Sequence, residues 1–256
     1  MFQDDLLVRS PNGFELTLRG RKILDELEGL LPRIENLVAP ALFDPTQEKS
    51  HFRVSGPDNV CTVVLPSLCC QYANGRYQVH FEFWPWRSDI AELVEHGQLD
   101  LVLHIDDGPL PSHFQSERFN KEDWICAVAR ASHLGDRLPL KQYLAASHIV
   151  VATYEGVQTI PDKQLAAVGA KRRSCIRVPY FGVALQCLPG TDLVLTLTSG
   201  MTAVIKNDRR LRLVQAPQEL HAFHFLMAWH PRLSTDPRHV WLRAAERSAV
   251  APKGQP

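Results

Sequence analysis

Apolar residues near the start of the chain follow a strand pattern first and a helical pattern afterwards. Leu6–Val8 is an apolar run, turn residues occupy Ser10–Gly13, and Phe14–Leu16 alternates again, which predicts a short hairpin. Thr17 stands where a helix N-cap is expected. The apolar stripe of the helix predicted next, with steps of three and four residues, comprises Leu24, Leu27, Leu31, Ile34 and Val38. Such a stripe is typical of a coiled coil, and an ordinary packing helix would show it as well.

Strand patterns and helix patterns then alternate twice along the chain. Residues 40–50 contain prolines and have no apolar period, so we predict a linker there. Residues 51–105 and residues 148–216 each show strands alternating with helices, which predicts parallel strands with right-handed crossovers. Extended segments near 130 and 222 join the two halves. We therefore predict an α/β protein with two lobes and a cleft between them.

The lobe boundaries follow from this alternation. Lobe I is predicted to comprise residues 51–130 together with 223–250, because the last strand and helix are expected to return to the first lobe. Lobe II is predicted to comprise residues 131–222, and residues 251–256 are expected to form a disordered tail. Ligands of such sheets bind at the carboxyl ends of the strands, so the cleft is the expected binding site.

Composition excludes several classes of protein. The 256 residues have a formal net charge of zero, so the chain as a whole lacks the basic signature of nucleic-acid binding. There is no apolar run of membrane-spanning length, and the acidic N-terminus does not resemble a signal peptide, so we expect a cytoplasmic protein without membrane contact. The spacing of the six cysteines fits neither a zinc site nor a disulfide framework. We predict no metal and no cofactor.

Three segments carry a resemblance to a known family. The sequence LLVRSPNGFELT, followed by the amphipathic helix, resembles the wing and linker helix of LysR-type transcriptional regulators. The segments IRVPYFGVALQCLPGTDLVLTLT, from Ile176 to Thr198, and MAWHPRLSTDPRHVWLR, from Met227 to Arg243, resemble the branch of that family that senses aromatic acids and flavonoids. With the strand LDLVLHI, the resemblance extends over nearly the whole chain.

The resemblance implies a domain organisation. It implies a two-lobed effector domain of the periplasmic-binding-protein type 2 fold, preceded by a remnant of a winged helix-turn-helix at residues 1–17 and a linker helix for dimerisation at 18–39. The chain starts just before the wing, so we expect a truncated form without the helices that read DNA. Arg9, Arg19 and Arg21 would contact DNA phosphates in a full-length form, and otherwise they are ordinary surface charges.

The resemblance also implies partners. A small organic effector, an aromatic acid or a flavonoid-like molecule, is expected in the cleft. Promoter DNA is the expected partner of the full-length form, RNA polymerase is a further candidate, and the chain is expected to form a homodimer or homotetramer. Effector binding would then shift the arrangement of the lobes and of the paired subunits.

Candidate effector-binding residues stand at the ends of predicted strands. Pro57, Asp58 and Asn59 join a strand to a helix whose N–H groups could hold a carboxylate, although Asp58 or Asn59 could equally be a plain helix cap. The other candidates are His104, Ile105, Thr153, Tyr154, Tyr180, Phe181 and Thr196. Aromatic side chains at such positions can stack on a planar ligand, and core packing is the alternative. A metal site at His104, Asp106 and Asp107 is disfavoured, because neighbouring strand residues point to opposite faces.

Two other function classes compete with the regulator. A solute-binding protein would share the two-lobed design, but the apolar-striped helix and the lack of a signal peptide argue against it. An enzyme is disfavoured, because no nucleophile motif accompanies His230 and Asp236, for which structural packing is the preferred interpretation.

Overall fold

The structure, a computed structural model, describes residues 5–10, 13–38, 42–105, 110–152 and 158–250. The chain divides into two compact units, Met1–Leu42 and Phe43–Pro256. Each unit is described by itself below. In the described residues no helix is long and apolar enough to cross a membrane.

The first unit contains a hairpin and a long helix. Strand β1 (Leu7–Ser10) pairs antiparallel with β2 (Gly13–Leu16), and helix α1 spans Leu18–Val38. The hydroxyl oxygen of Thr17 accepts a hydrogen bond of 2.9 Å from the backbone N–H of Gly20, which satisfies one of the unpaired donors of the first helical turn. The predicted hairpin, N-cap and helix are therefore present.

The apolar stripe of α1 remains open to solvent where it is described. Leu24, Leu27 and Leu31 are 42%, 44% and 52% exposed. The side chains of Ile34 and Val38 lie outside the described residues. The three leucines thus form a partly exposed apolar surface on α1.

The second unit contains two five-stranded sheets. The lobe I sheet has the strand order β4-β3-β5-β12-β6, and its strands are β3 (Ser50–Ser55), β4 (Val79–Trp84), β5 (Leu101–Ile105), β6 (Gln115–Glu122) and β12 (Phe223–Trp229). Strands β3, β4 and β5 are parallel, and β12 runs antiparallel to β5. The helices of this lobe are α2 (Asp58–Tyr72), α3 (Ile90–Glu95) and α8 (Pro237–Val250).

The lobe II sheet has the order β11-β7-β10-β8-β9. Its strands are β7 (Trp124–Ala129), β8 (Ser147–Val151), β9 (Arg173–Val178), β10 (Leu193–Thr198) and β11 (Leu211–Gln215). Strands β8, β9 and β10 are parallel, and β7 is antiparallel to β10. The helices are α4 (Leu140–Ala145), α5 (Ile160–Ala167), α6 (Phe181–Gln186) and α7 (Thr202–Asn207).

The boundary between the lobes differs from the predicted one. Strand β7 pairs with β10 and β11, so residues 124–129 belong to the sheet of lobe II rather than to lobe I. The chain crosses between the sheets at Asp123. The apolar pattern of this segment indicated a buried strand correctly, but a burial pattern does not say which sheet a strand joins.

The predicted linker also ends earlier than residue 50. Phe43 packs edge-on against Phe52 and Trp241, with ring centroids 6.2 and 5.4 Å apart. Trp241 on α8 also stacks on Phe52. Helix α8 therefore returns to lobe I as predicted, and residue 43 already belongs to the core of that lobe.

The polar and aromatic residues near the C-terminus pack against one another. The guanidinium of Arg243 lies 4.3 Å from the ring centre of Trp229 and donates a 2.8 Å hydrogen bond to the carbonyl of Ser234. The side chain of His239 lies 2.8 Å from the carbonyl of Asp100. These contacts fasten α8 to lobe I and support the structural interpretation of this segment.

Candidate functional site

A cavity of about 400 Å³ lies between the two lobes. From lobe I it is lined by residues 57–59, by Trp86 to Ser88 with Ile90 and Ala91, and by His104, Ile105 and Leu110. From lobe II it is lined by Trp124, Val151, Ala152, Gln158 to Pro161, Lys163, Arg172, Phe181 and Thr196. Several of these positions end or follow parallel strands β3, β5, β8 and β10, where ligands of open α/β sheets bind.

Two tryptophans supply aromatic surface from opposite lobes. The Trp86 ring stacks on His104, with centroids 4.8 Å apart and an interplanar angle of 13°. Trp124 stacks on Phe223 at 4.6 Å. The indole N–H of Trp124 is buried and has no hydrogen-bond partner in the described part of the chain. A buried N–H without a partner is costly, so it is a natural donor for an oxygen of a bound molecule.

Arg172 organises the polar side of the cavity. Its Nε donates to Asp162 at 2.7 Å, and its two terminal nitrogens donate to Thr196 at 3.2 Å, Tyr143 at 3.0 Å and Thr159 at 3.1 Å. The Tyr143 and Thr196 hydroxyls lie 2.6 Å apart. Four side chains, from α4, β10 and the N-terminal end of α5, thus fix the orientation of one buried guanidinium.

The charges in this network are balanced. Burial alone would raise the pKa of Asp162, but hydrogen bonds from Arg172 and its positive charge lower that pKa below its ordinary value. Burial raises the pKa of Tyr143 to about 12, so its hydroxyl stays neutral. The guanidinium and the Asp162 carboxylate neutralise each other, and the hydroxyls contribute hydrogen bonds without charge.

Asp58 has a different role from the predicted cap of its own helix. The N-cap position of α2 is Pro57, and Asp58 instead accepts a 2.7 Å hydrogen bond from the backbone N–H of Phe181 in lobe II. Burial raises the pKa of Asp58, and backbone hydrogen bonds from Phe181 and Gly182 oppose that shift. The sequence pattern could not show this contact, because it joins positions that are 123 residues apart.

A second carboxylate joins the lobes where the chain crosses between them. Glu122, at the end of β6, accepts hydrogen bonds of 2.6 Å from both the Ser199 hydroxyl and the Gly200 N–H. Asn120 donates to its other oxygen at 2.7 Å. Glu122 is 2% exposed, so this contact is sealed from solvent.

The predicted effector residues fall into three groups. Those that line the cavity are Pro57, Asp58, Asn59, His104, Ile105, Phe181 and Thr196. Tyr180 is not brought to the cavity: it is 48% exposed at the start of α6, because its backbone is extended and only the next residue turns into the helix. Thr153 and Tyr154 lie outside the described residues.

Sequence reasoning missed Trp86, Trp124 and Arg172. A signal existed for Trp86, since it lies just beyond strand β4, which ends at Trp84, as other candidates lie beyond their strands. Trp124 stands at the start of its strand rather than the end, where no candidate was sought. For Arg172 we find no local signal, because its burial depends on partners from three other elements.

Among the residues that the structure describes, no group of three or more His, Cys, Asp or Glu side chains could hold a metal ion. Asp106 and Asp107, the other two residues of the disfavoured site with His104, lie outside the described residues.

Comparisons with known proteins agree with this architecture. The family described as "LysR substrate binding domain" matches residues 45–251. Nodulation protein D 2 from Bradyrhizobium sp. (strain NC92) is 26% identical over 254 residues, covering 92% of this chain and 74% of that protein. The HTH-type transcriptional regulator SyrM from Rhizobium etli is 24% identical over 253 residues, covering 98% and 74%.

A solved structure shows the same fold. The regulatory domain of MexT, a transcriptional activator in Pseudomonas aeruginosa, superposes with a TM-score of 0.69 at 22% identity, covering 79% of this chain and 98% of that domain. LysR regulators bind small-molecule effectors and promoter DNA and form oligomers. Because the family match extends over most of the chain, the protein belongs to the LysR family of transcriptional regulators and contains its substrate-binding domain.

Proposed function

We propose that this regulator senses a small planar aromatic molecule, an aromatic acid or a flavonoid-like compound, in the cavity between its lobes. The observation that carries the proposal is the pairing of aromatic surface with a buried donor. Trp86 stacked on His104 contributes from lobe I, and Trp124 with its unpaired indole N–H contributes from lobe II. Planar rings stack on such surfaces, and a ligand oxygen would accept the indole hydrogen.

Size and polarity support a small ligand. The cavity volume of about 400 Å³ lies within the range of roughly 300–1,000 Å³ that is typical of small-molecule sites. Thr196 and Arg172 place polar atoms beside the aromatic ones, and the charge of Arg172 is already balanced by Asp162. We therefore expect a ligand with at least one acceptor oxygen, with a carboxylate accepted but not required.

The side chains favour binding over catalysis. Cys126 lies beside the cavity residue Thr196, with 3.9 Å between sulfur and oxygen. Burial raises the pKa of this thiol to about 12, so it is not a nucleophile near neutral pH. We propose that the protein is not an enzyme and that ligand binding acts on the arrangement of the lobes.

The exposed leucines of α1 connect sensing to assembly in this proposal. Leu24, Leu27 and Leu31 form an apolar stripe that a second copy of the helix would bury. The relatives include an HTH-type regulator, so we extend DNA binding to the protein in its functional, paired form. Arg9, Arg19 and Arg21 remain candidates for phosphate contacts.

A thermal-shift series tests the ligand class. Benzoate, salicylate, benzamide and a flavone are compared with cyclohexanecarboxylate, which has the carboxylate but no aromatic ring. A ligand present at about 100 times its Kd stabilises the folded state by roughly 2.7 kcal/mol, so a binding aromatic compound should raise Tm by several degrees. The proposal fails if no aromatic compound raises Tm more than the cyclohexane acid does.

A matched pair of variants tests the donor. Trp124→Phe keeps an aromatic ring and removes the indole N–H, and one hydrogen bond is worth about 1 kcal/mol, so affinity should fall roughly fivefold. Trp84→Phe makes the same chemical change at a residue outside the cavity lining and should leave affinity unchanged. If calorimetry gives equal ligand affinities for the two variants, the indole N–H of Trp124 does not donate to the ligand.

A further inference from the structure

The carboxylate of Asp58 crosses the cleft. Asp58 is the first residue of α2 in lobe I, and its Oδ2 accepts the N–H of Phe181, the first residue of α6 in lobe II, at 2.7 Å. Both residues line the cavity. The hydrogen bond therefore exists only while the two lobes are close together at this place.

No side chain of lobe II satisfies this N–H instead. Tyr180 is the N-cap residue of α6, and its side chain makes no capping hydrogen bond. Lobe I thus supplies the acceptor that a helix usually finds in its own N-cap residue. Separation of the lobes would leave the Phe181 N–H and the Asp58 carboxylate to water, which makes the contact reversible.

The contact of Glu122 with Ser199 and Gly200 lies beside the crossover between the lobes, and we call it the hinge-side contact. It differs from the Asp58 contact in how it responds to lobe movement. Glu122 adjoins the crossover residue Asp123, whose backbone N–H donates a 3.1 Å hydrogen bond to the Ser199 hydroxyl oxygen. Those partners stay together when lobes rotate about the crossover, because the rotation moves nearby atoms least. Asp58 is the carboxylate whose partner moves away when the cleft opens.

We propose that Asp58 is a latch that holds the lobes closed over the cavity and so sets how readily an effector enters and how tightly it is held. The inference rests on the proposed function, since it assigns a regulatory contact to the same cavity. Without the latch, open arrangements become more populated. The apparent affinity for an effector then falls in proportion to the fraction of molecules that remain closed.

Native cysteines allow the lobe separation to be measured in the whole chain. Cys69 on α2 and Cys175 on β9 are exposed and belong to different lobes. Spin labels on these two report the distance between the lobes, with the other accessible thiols, Cys61, Cys70 and Cys187, replaced by alanine. Labelled chains are diluted into an excess of unlabelled chains, so that label pairs between copies do not contribute.

The comparison uses Asp58→Ala and Asp58→Leu in the labelled chain. The control is Glu117→Gln, which removes a carboxylate of lobe I that pairs with Arg247 in the same lobe. We expect a longer and broader distance distribution for both Asp58 variants and an unchanged distribution for the control. Asp58→Leu keeps the branched shape and about the size of the side chain but has no acceptor oxygen, so it decides the question if the alanine variant folds poorly.

The result that overturns the latch is a distribution for Asp58→Leu, or for a folded Asp58→Ala, that coincides with the unmutated protein. A shift of equal size in Glu117→Gln would overturn it too, because the effect would then not belong to the cleft. The measurement needs no ligand. Failure of the latch in this experiment is therefore distinct from failure of the effector proposal, which the thermal-shift series decides.

Discussion

Two carboxylates of lobe I reach hydrogen-bond donors of lobe II in different surroundings. Glu122 is 2% exposed and accepts three hydrogen bonds beside the crossover. Asp58 lines an open cavity and accepts the Phe181 N–H across the cleft. The two hydrogen-bonded carboxylates differ in their access to water. The buried Glu122 cannot exchange its protein partners for water, whereas Asp58 beside the cavity can. Glu122 should therefore govern stability, and Asp58 should govern the arrangement of the lobes.

The surroundings of Gly200 show how tightly the hinge side is packed. A Cβ at this position would lie 2.6 Å from a methyl carbon of Val63 on α2 and 2.8 Å from Glu122 Oε1. Those distances are shorter than real side-chain contacts allow. A side chain at this position would therefore force Val63 or Glu122 to shift before the lobes could meet as they do.

The largest effect is expected for Glu122→Ala. It leaves the Ser199 hydroxyl and the Gly200 N–H without their acceptor in a buried place, which should lower the free energy of unfolding by about 2–4 kcal/mol. Glu117→Ala is the matched control on the same strand, since its pair with Arg247 is partly exposed and worth roughly 0–1 kcal/mol. Denaturant unfolding compares the two. If both variants lose the same free energy of unfolding, the buried Glu122 contact stabilises the fold no more than the partly exposed Glu117 pair does.

Gly200→Ala tests the packing at the same place. The added methyl group forces Val63 or Glu122 aside, and overpacking of this kind costs about 1–3 kcal/mol. Gly182→Ala is the control, because nothing lies within 4 Å of a Cβ there. Thermal unfolding should show a lower Tm only for the first variant. A Tm of Gly200→Ala within the error of the control would show that the hinge side tolerates movement.

A third carboxylate shows what burial does without partners. Glu246 on α8 is 0% exposed, and neither of its oxygens has a hydrogen-bond partner in the described structure. Burial raises its pKa from 4.5 to about 8. The folded protein keeps this proton at a pH where the unfolded chain has lost it, so Glu246 makes the protein less stable as pH rises from about 4.5 to 8.

Glu246→Gln should abolish the decrease in stability that Glu246 causes as the pH rises. Its stability should match the unmutated protein near pH 5 and exceed it near pH 9, because the buried Glu246 carboxyl must ionise there and an amide does not. The difference between the two unfolding curves across this pH range isolates Glu246 from the other titrating groups. A difference that does not change with pH would contradict the buried, protonated carboxyl.

The smallest effect on stability is expected for Asp58→Ala. The burial that raises the pKa of Asp58 offsets much of what its hydrogen bond to Phe181 contributes, so the free energy of unfolding should change by less than about 1 kcal/mol. Denaturant unfolding beside Glu122→Ala provides the measurement. A loss as large as that of Glu122→Ala would mean that both carboxylates are structural.

The sequence predicted the parts of this protein that depend on local pattern. Strand ends marked by Pro57 to Asn59, His104 with Ile105, and Thr196 line the cavity, because parallel strands bring their carboxyl ends to one edge. The Thr17 cap followed from residue chemistry alone. The family resemblance, carried by motifs in order, predicted the two-lobed fold.

Contacts between distant elements were beyond the reach of sequence patterns. The acceptor role of Asp58 depends on where α6 lies, and the burial of Arg172 depends on Tyr143, Thr159 and Asp162 from other elements. The pairing of β7 with lobe II was missed for the same reason. Periodicity reports which face of an element is buried, and it does not report its neighbour.

The most direct measurement is the distance between labels on Cys69 and Cys175 in Asp58→Ala, with and without an aromatic ligand found in the thermal-shift series. Without ligand we expect the broad, long distribution of unlatched lobes. A ligand held by both lobes should replace the missing latch and return the distribution to that of the unmutated protein. If the ligand binds and the distribution stays broad, the ligand is not held between the lobes and the account is wrong.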